Sequence, residues 1–308
     1  MRSNIIAKNE VKILTREKSV LLFLVIFILL VLSSAFIGFF AQHTIQKVFK
    51  VAATELQNEG QSVPPSPFTN FPDLSVVKNM IIYIVLCGAL FAIVLGYSSG
   101  IQDKKSGTVK MLFSHQVNKK DFFIGKVKGI SFILMLIMLV SLLISALSSA
   151  FLSHLTGIDI LRLFGFYALS FIYLLGFAIL GIAFALIIDN DAVALIIPLL
   201  IWVVITFVIP GFASALYPTA TLNPVLSQNV TPSPALDFMH SISSPFSISE
   251  HFKDSGAYIL NLKNPFTSLI SSGTNMINVN LIIMWLLICI LIGIIVIRKF
   301  NVVGDSNG

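Results

Sequence analysis

The chain has 308 residues and a mass of 33.7 kDa; 56% of it is apolar, 11% is charged, and the mean hydropathy is +0.93. A soluble domain carries about 25% charged residues, so a soluble enzyme, a disordered chain and a nucleic-acid-binding protein are all poor readings. What fits is a polytopic membrane protein, whose net charge of +6 reports a bias among its loops.

The first element expected is a short amphipathic helix. Lys8, Lys12 and Arg16 recur every four residues as a basic stripe, while Ala7, Val11 and Leu14 lie on another face. This pattern suits a helix on the inner leaflet, so residues 1–18 are read as a cytoplasmic interfacial helix ahead of a membrane domain, 19–308. Six spans follow, near 20–40, 79–99, 130–152, 163–188, 192–209 and 279–297, each close to the roughly 20 residues needed to cross the hydrocarbon. None of these stretches contains Asp, Glu, Lys, Arg or His. No small-residue cleavage pattern follows the first span, so it reads as retained rather than as a signal peptide. Pro198 is expected to kink the fifth span by removing a helical hydrogen bond.

Fourteen Lys and Arg fall on the side of the termini and the 100–129 loop, against six on the other side. The positive-inside rule therefore predicts cytoplasmic termini, with outer loops at 41–78 and 210–278. The first outer loop carries Pro64, Pro65, Pro67 and Pro72 and is expected to be extended in its second half. The second lacks periodicity; His240, Glu250 and His251 within it read as solvated loop residues rather than a metal set. Cys87 and Cys289 sit in apolar runs and read as small packing residues. Asp189 or Asp191 is expected to cap the fifth span from the tight 189–191 turn.

Catalytic signatures are missing. No GxxxxGK[ST] phosphate loop, HExxH or GxSxG occurs, and no paired carboxylates lie in the spans. No catalytic or metal-binding residue is therefore assigned. With no ionisable group in the spans, coupling to a proton gradient is disfavoured, and energy for uphill transport would have to come from another subunit.

The 100–129 loop carries the most information. Two short helices are expected: one capped by Ser106 or Thr108 and presenting Val109, Leu112 and Phe113, the other capped by Asn118 with Asp121 in its first turn. The second is expected to run through Gly125-Lys126 into the third span. This loop resembles that of the membrane subunits of ABC type-2 exporters, whose general form is E-x-E-x-G-T-L-x-x-L-L-S-x-P-V-S-R ending in G-K. The chain matches at Asp103, Gly107, Thr108, Leu112, Ser114, Val117, Lys119, Gly125 and Lys126. It departs at Lys105, where a second acid is expected, and at Gln116, where proline is expected. Ala7-Lys8-Asn9-Glu10-Val11-Lys12-Ile13-Leu14-Thr15-Arg16 is similar to that family's N-terminal A-K-x-E-L-x-x-L-x-R segment. Within the family, the looser likeness is to the group that includes the copper-processing permease of nitrous-oxide-reductase maturation.

The resemblance implies an all-α permease in the cell membrane. It would pair with a second permease copy, identical or related, and be driven by a separate ATP-binding cassette subunit that holds ATP and magnesium, with no cofactor in this chain. It also implies a coupling role for Asp103, Gly107, Thr108, Leu112, Phe113, Lys119 and Lys126, with Glu10 and Arg16 acting in the N-terminal helix. Spans two and five are then expected to shift at a dimer interface, helped by Pro198 and by Gly88, Ala89, Ala92 and Gly96 of span two. Substrate-binding residues are not assigned. A channel or facilitator without an ATPase, and a membrane enzyme or scaffold, are the other classes considered. The spans offer the first mainly Ser, Thr and Tyr, and offer the second no convergent acid, base or metal set.

Overall fold

The computed structural model describes residues 2–62, 74, 77–105, 118–152, 155–210, 238, 242, 244–262 and 275–299, and among these it contains helices and no strand. The long apolar runs with few breakers leave the backbone only one way to satisfy its polar groups in hydrocarbon, which is to hydrogen-bond within each run as a helix. Eight helices carry the fold: α1 (Arg2–Leu14), α2 (Lys18–Asn58), α3 (Asn79–Lys105), α4 (Lys119–Leu152), α5 (Gly157–Ile187), α6 (Asp191–Val208), α7 (Ile248–Ile259) and α8 (Asn275–Lys299). Helices α2, α3, α4, α5, α6 and α8 contain stretches long and apolar enough to cross a membrane.

Helix ends follow the local chemistry. Asn118 Oδ1 accepts from Lys120 N at 3.1 Å, capping α4 as expected. Asp159 opens α5 by accepting from the Thr156 backbone N–H and hydroxyl, a capping box. At the 189–191 turn the cap is Asn190, not either aspartate: its Oδ1 accepts from Ala192 N and Val193 N. Asp189 and Asp191 are freed for ion pairs with Lys104 (3.0 Å) and Lys105 (2.7 Å) at the end of α3.

Helix α5 is the centre of the bundle: 78% of its most apolar stretch is buried, against 28% for α2 and α6. Its tightest neighbour is α3. A Cβ on Gly96 would strike the backbone of Ala178, one on Gly181 would come within 2.5 Å of the Ile93 carbonyl oxygen, and one on Gly100 within 2.5 Å of Ala185 Cβ. Small residues thus let the two backbones touch. Ala89 and Ala92 of the same helix are fully buried. The small-residue face of span two is therefore used inside the chain, and the expectation that it lines a dimer interface is corrected.

Helices α3 and α6 each carry a π-helical turn, Ile84–Gly88 and Val204–Val208. Such turns disturb the i→i−4 ladder. In both, a carbonyl accepts from outside its helix: Val85 O from Trp202 Nε1 at 3.1 Å, and Ile205 O from Ser249 Oγ at 2.9 Å. Ser249 belongs to α7, which packs into the bundle against α3, α5, α6 and α8. Phe252 of α7 stacks on Tyr173 of α5, centroids 4.5 Å apart and planes at 21°. Glu250, His251 and Lys253 are buried with it, Glu250 paired with Lys253 and His251 Nδ1 3.0 Å from Asn278 Oδ1. The reading of Glu250 and His251 as solvated loop residues is overturned: α7 turns its polar face into the bundle as well as its apolar one. His240 and the proline-rich stretch 64–72 lie outside the described residues.

Candidate functional site: a buried ionic node at the end of the bundle

Helix α1 lies along the start of α4. The contact is close because α4 presents Gly125 and Gly129 one turn apart. A Cβ on Gly125 would sit 2.7 Å from Ile6 Cβ, and one on Gly129 2.7 Å from Glu10 Cβ. The pair forms a flat strip in which α1 rests, with Leu14 of α1 fully buried. Lys8 and Lys12 stay exposed on the far side.

This seating carries Glu10 to Lys126. The Lys126 ammonium is 2.8 Å from Glu10 Oε2, 2.8 Å from Asp103 Oδ2, 2.7 Å from Ser99 O and 3.1 Å from Ser99 Oγ. The Phe122 ring lies 5.6 Å from it on the remaining side. The side chains of Lys126 and Glu10 are 1% and 4% exposed, and that of Asp103 is 10% exposed. An ammonium has three donors; here they face four acceptors, so its own demand is met. The carboxylates outnumber the cation by one, and Glu10 Oε1 is buried with no hydrogen-bond partner. In such a cluster the paired state offsets its desolvation only while all members are present.

The node joins three segments: α1 through Glu10, the end of α3 through Ser99 and Asp103, and the start of α4 through Lys126. Asp103 and Lys126 lie on either side of the connecting segment 106–117. Of the residues singled out in that stretch, the structure thus brings together Asp103, Lys126 and, from the N-terminus, Glu10. Gly107, Thr108, Leu112 and Phe113 lie outside the described residues. Lys119 opens α4 seven residues before Lys126 and is not among the partners of its ammonium. Arg16 lies past the end of α1, exposed, on a cavity of about 570 Å³ shared with Glu17, Gln102 and Lys105.

Lys105, which stands where an acid was expected from the resemblance, is bound to Asp191, and Lys104 also donates to Ile188 O at 2.6 Å. With the Tyr97 hydroxyl on Asp191 O at 3.1 Å, these contacts tie the end of α3 to the α5–α6 turn. The Gly125–Gly129 spacing was readable in the sequence as a helix-packing motif and was missed. The role of Ser99 carried no sequence signal, since one serine at a span end is unremarkable.

Six helices long and apolar enough to cross a membrane, with a terminal helix packed along one of them, define a polytopic membrane protein. The chain belongs to the ABC-2 family transporter proteins, whose family profile it matches over residues 4–301. It is thus the permease component of an ABC transporter. No curated protein matches the chain.

Proposed function

We propose that this permease is an exporter subunit of the cell membrane, driven by a separate ATP-binding cassette subunit docked on the 106–117 segment. ATP and magnesium would sit on that partner and no cofactor on this chain. The single observation that carries the reading is the buried Glu10–Lys126–Asp103 node, which holds α1 to the end of α3 and the start of α4, the two helices that the docking segment joins in sequence. A push on the segment is then shared by α1, α3 and α4, because displacing any one of them alone would break a buried ion pair, at a cost of about 3–5 kcal/mol. The Lys104 and Lys105 pairs pass the same movement to the α5–α6 turn.

The excess of Lys and Arg supports a cytoplasmic position for the node and both termini, with α1 along the inner leaflet. A second permease copy completes the transport unit. Its contact is assigned to α6, whose Ile196, Leu200 and Phe207 are 49%, 57% and 50% exposed. The reading is tested by purifying the tagged chain with the ATP-binding subunit of the same cell. Wild type should retain that subunit; Leu112→Asp/Phe113→Asp should lose it while remaining folded. Folded wild type that never retains an ATPase in mild detergent overturns the proposal.

A further inference from the structure

We propose that the groove between the start of α4 and the end of α8 is a binding site for an anionic phospholipid of the phosphatidylglycerol type. The groove has a volume of about 320 Å³ and is lined by both helices. On α4, Lys120, Ile124 and Lys128 are spaced by four and form one stripe; on α8, Ile290, Ile294 and Arg298 do the same. The α8 stripe ends in the Arg298 cation and continues as aliphatic wall, and on α4 Ile124 is flanked by the cations Lys120 and Lys128. Phe123 closes the back of the groove: a Cβ on Gly293 would fall on its ring, so the absence of a side chain at Gly293 lets the ring seat against α8.

Two features select the occupant. The walls are aliphatic and belong to two membrane-crossing helices, so acyl chains already surround the groove below its rim. The groove is lined by three cations, Lys120 and Arg298 at its rim and Lys128 about two turns further along α4, and by no acidic residue, and none of the three cations is in an ion pair among the described residues. Lys128 donates to Asn4 Oδ1 at 3.1 Å, a neutral partner that leaves its charge uncompensated. A phosphodiester with no ammonium of its own supplies the missing negative charge. A zwitterionic headgroup brings its own cation and gains less. Basic pockets between helices at the cytoplasmic side bind anionic headgroups for this reason.

Placing the groove in the inner leaflet rests on the orientation proposed above, but the binding itself does not. The test is native mass spectrometry of the full chain in mild detergent, titrated separately with phosphatidylglycerol and phosphatidylcholine, so that membrane orientation has no bearing on the readout. Wild type should retain phosphatidylglycerol selectively. Lys120→Gln/Arg298→Gln should bind it about 30-fold more weakly, the loss of two basic contacts. Ile294→Trp, which fills the groove without changing charge, should lose it too, with the melting temperature of both variants unchanged. Equal retention of the two lipids by wild type, or wild-type retention of phosphatidylglycerol by both variants, overturns the site. Failure here would leave the ATPase-docking reading intact, which depends on residues 106–117 and the node.

Discussion

At the scale of single residues, Lys126 decides the most. Its ammonium neutralises two carboxylates that have almost no solvent. Lys126→Met leaves Glu10 and Asp103 buried side by side, and the destabilisation expected is about 3–5 kcal/mol. It is measured as a lower melting temperature of the purified chain. Lys126→Met combined with Glu10→Gln and Asp103→Asn removes all the charge and should recover much of the loss, because the penalty lies in the unpaired charges. Gly129 is the second sensitive position. Gly129→Leu drives a side chain into Glu10, and α1 should lift from α4, seen as faster protease cleavage near residues 1–16 with the spans intact.

The motif drew attention to Glu10, Asp103 and Lys126 individually, but their union depends on how α1 crosses α4, which is set by Gly125 and Gly129, whose spacing carries no charge signal. Glu250 and His251 were misread for a different reason. Ile248, Phe252 and Ile259 do recur at helical spacing, but the polar residues between them look like a solvated face, and the fold buries that face as well. Glu250→Ala strands the Lys253 ammonium, and a loss of about 3–5 kcal/mol is expected in the same thermal assay. Glu250→Leu/Lys253→Met should be far milder.

Among the elements, two helices depart from regular α geometry. The π turns of α3 and α6 place Val85 O and Ile205 O where Trp202 and Ser249 reach them. Trp202→Phe keeps the ring and removes the donor, leaving a buried carbonyl short of a partner, at an expected cost of about 1–3 kcal/mol. The first span was legible to the residue in its apolar part, 20–40. Its helix nevertheless continues to Asn58, because nothing between 41 and 58 breaks a helix. Helix α4 likewise begins at Lys119, eleven residues before the apolar run, as the Asn118 cap implied. Hydropathy finds where a helix is apolar; caps and breakers find where it ends. Span two's small residues were noticed, but the choice between a neighbour in the same chain and a second copy is not written in one helix, and the structure gives them to α5.

For the whole molecule, the bundle has a buried axis, α5, and peripheral helices that keep apolar faces outward. Among the described residues that arrangement leaves an apolar face of α6 exposed, where the second copy is proposed to sit. Leu200→Cys, in a chain with Cys87 and Cys289 replaced, should form a disulfide-linked dimer in native membranes on mild oxidation. Cysteines placed on α5, which is enclosed, should not. Fold class and span number were legible because composition alone demands helices in a bilayer. The node was legible in its members and not in its geometry, and the role of α7 was not legible at all.

The proposed transmission of force between this permease and a separate ATPase runs through the node. The direct measurement is substrate-independent ATP hydrolysis and subunit retention in proteoliposomes holding both proteins, for wild type, Leu112→Asp/Phe113→Asp and Lys126→Met/Glu10→Gln/Asp103→Asn. The first variant should lose the ATPase subunit. The neutralised node should retain a subunit whose hydrolysis no longer responds to the permease. A neutralised node that couples as well as wild type, in a folded chain that still holds its ATPase, would contradict it.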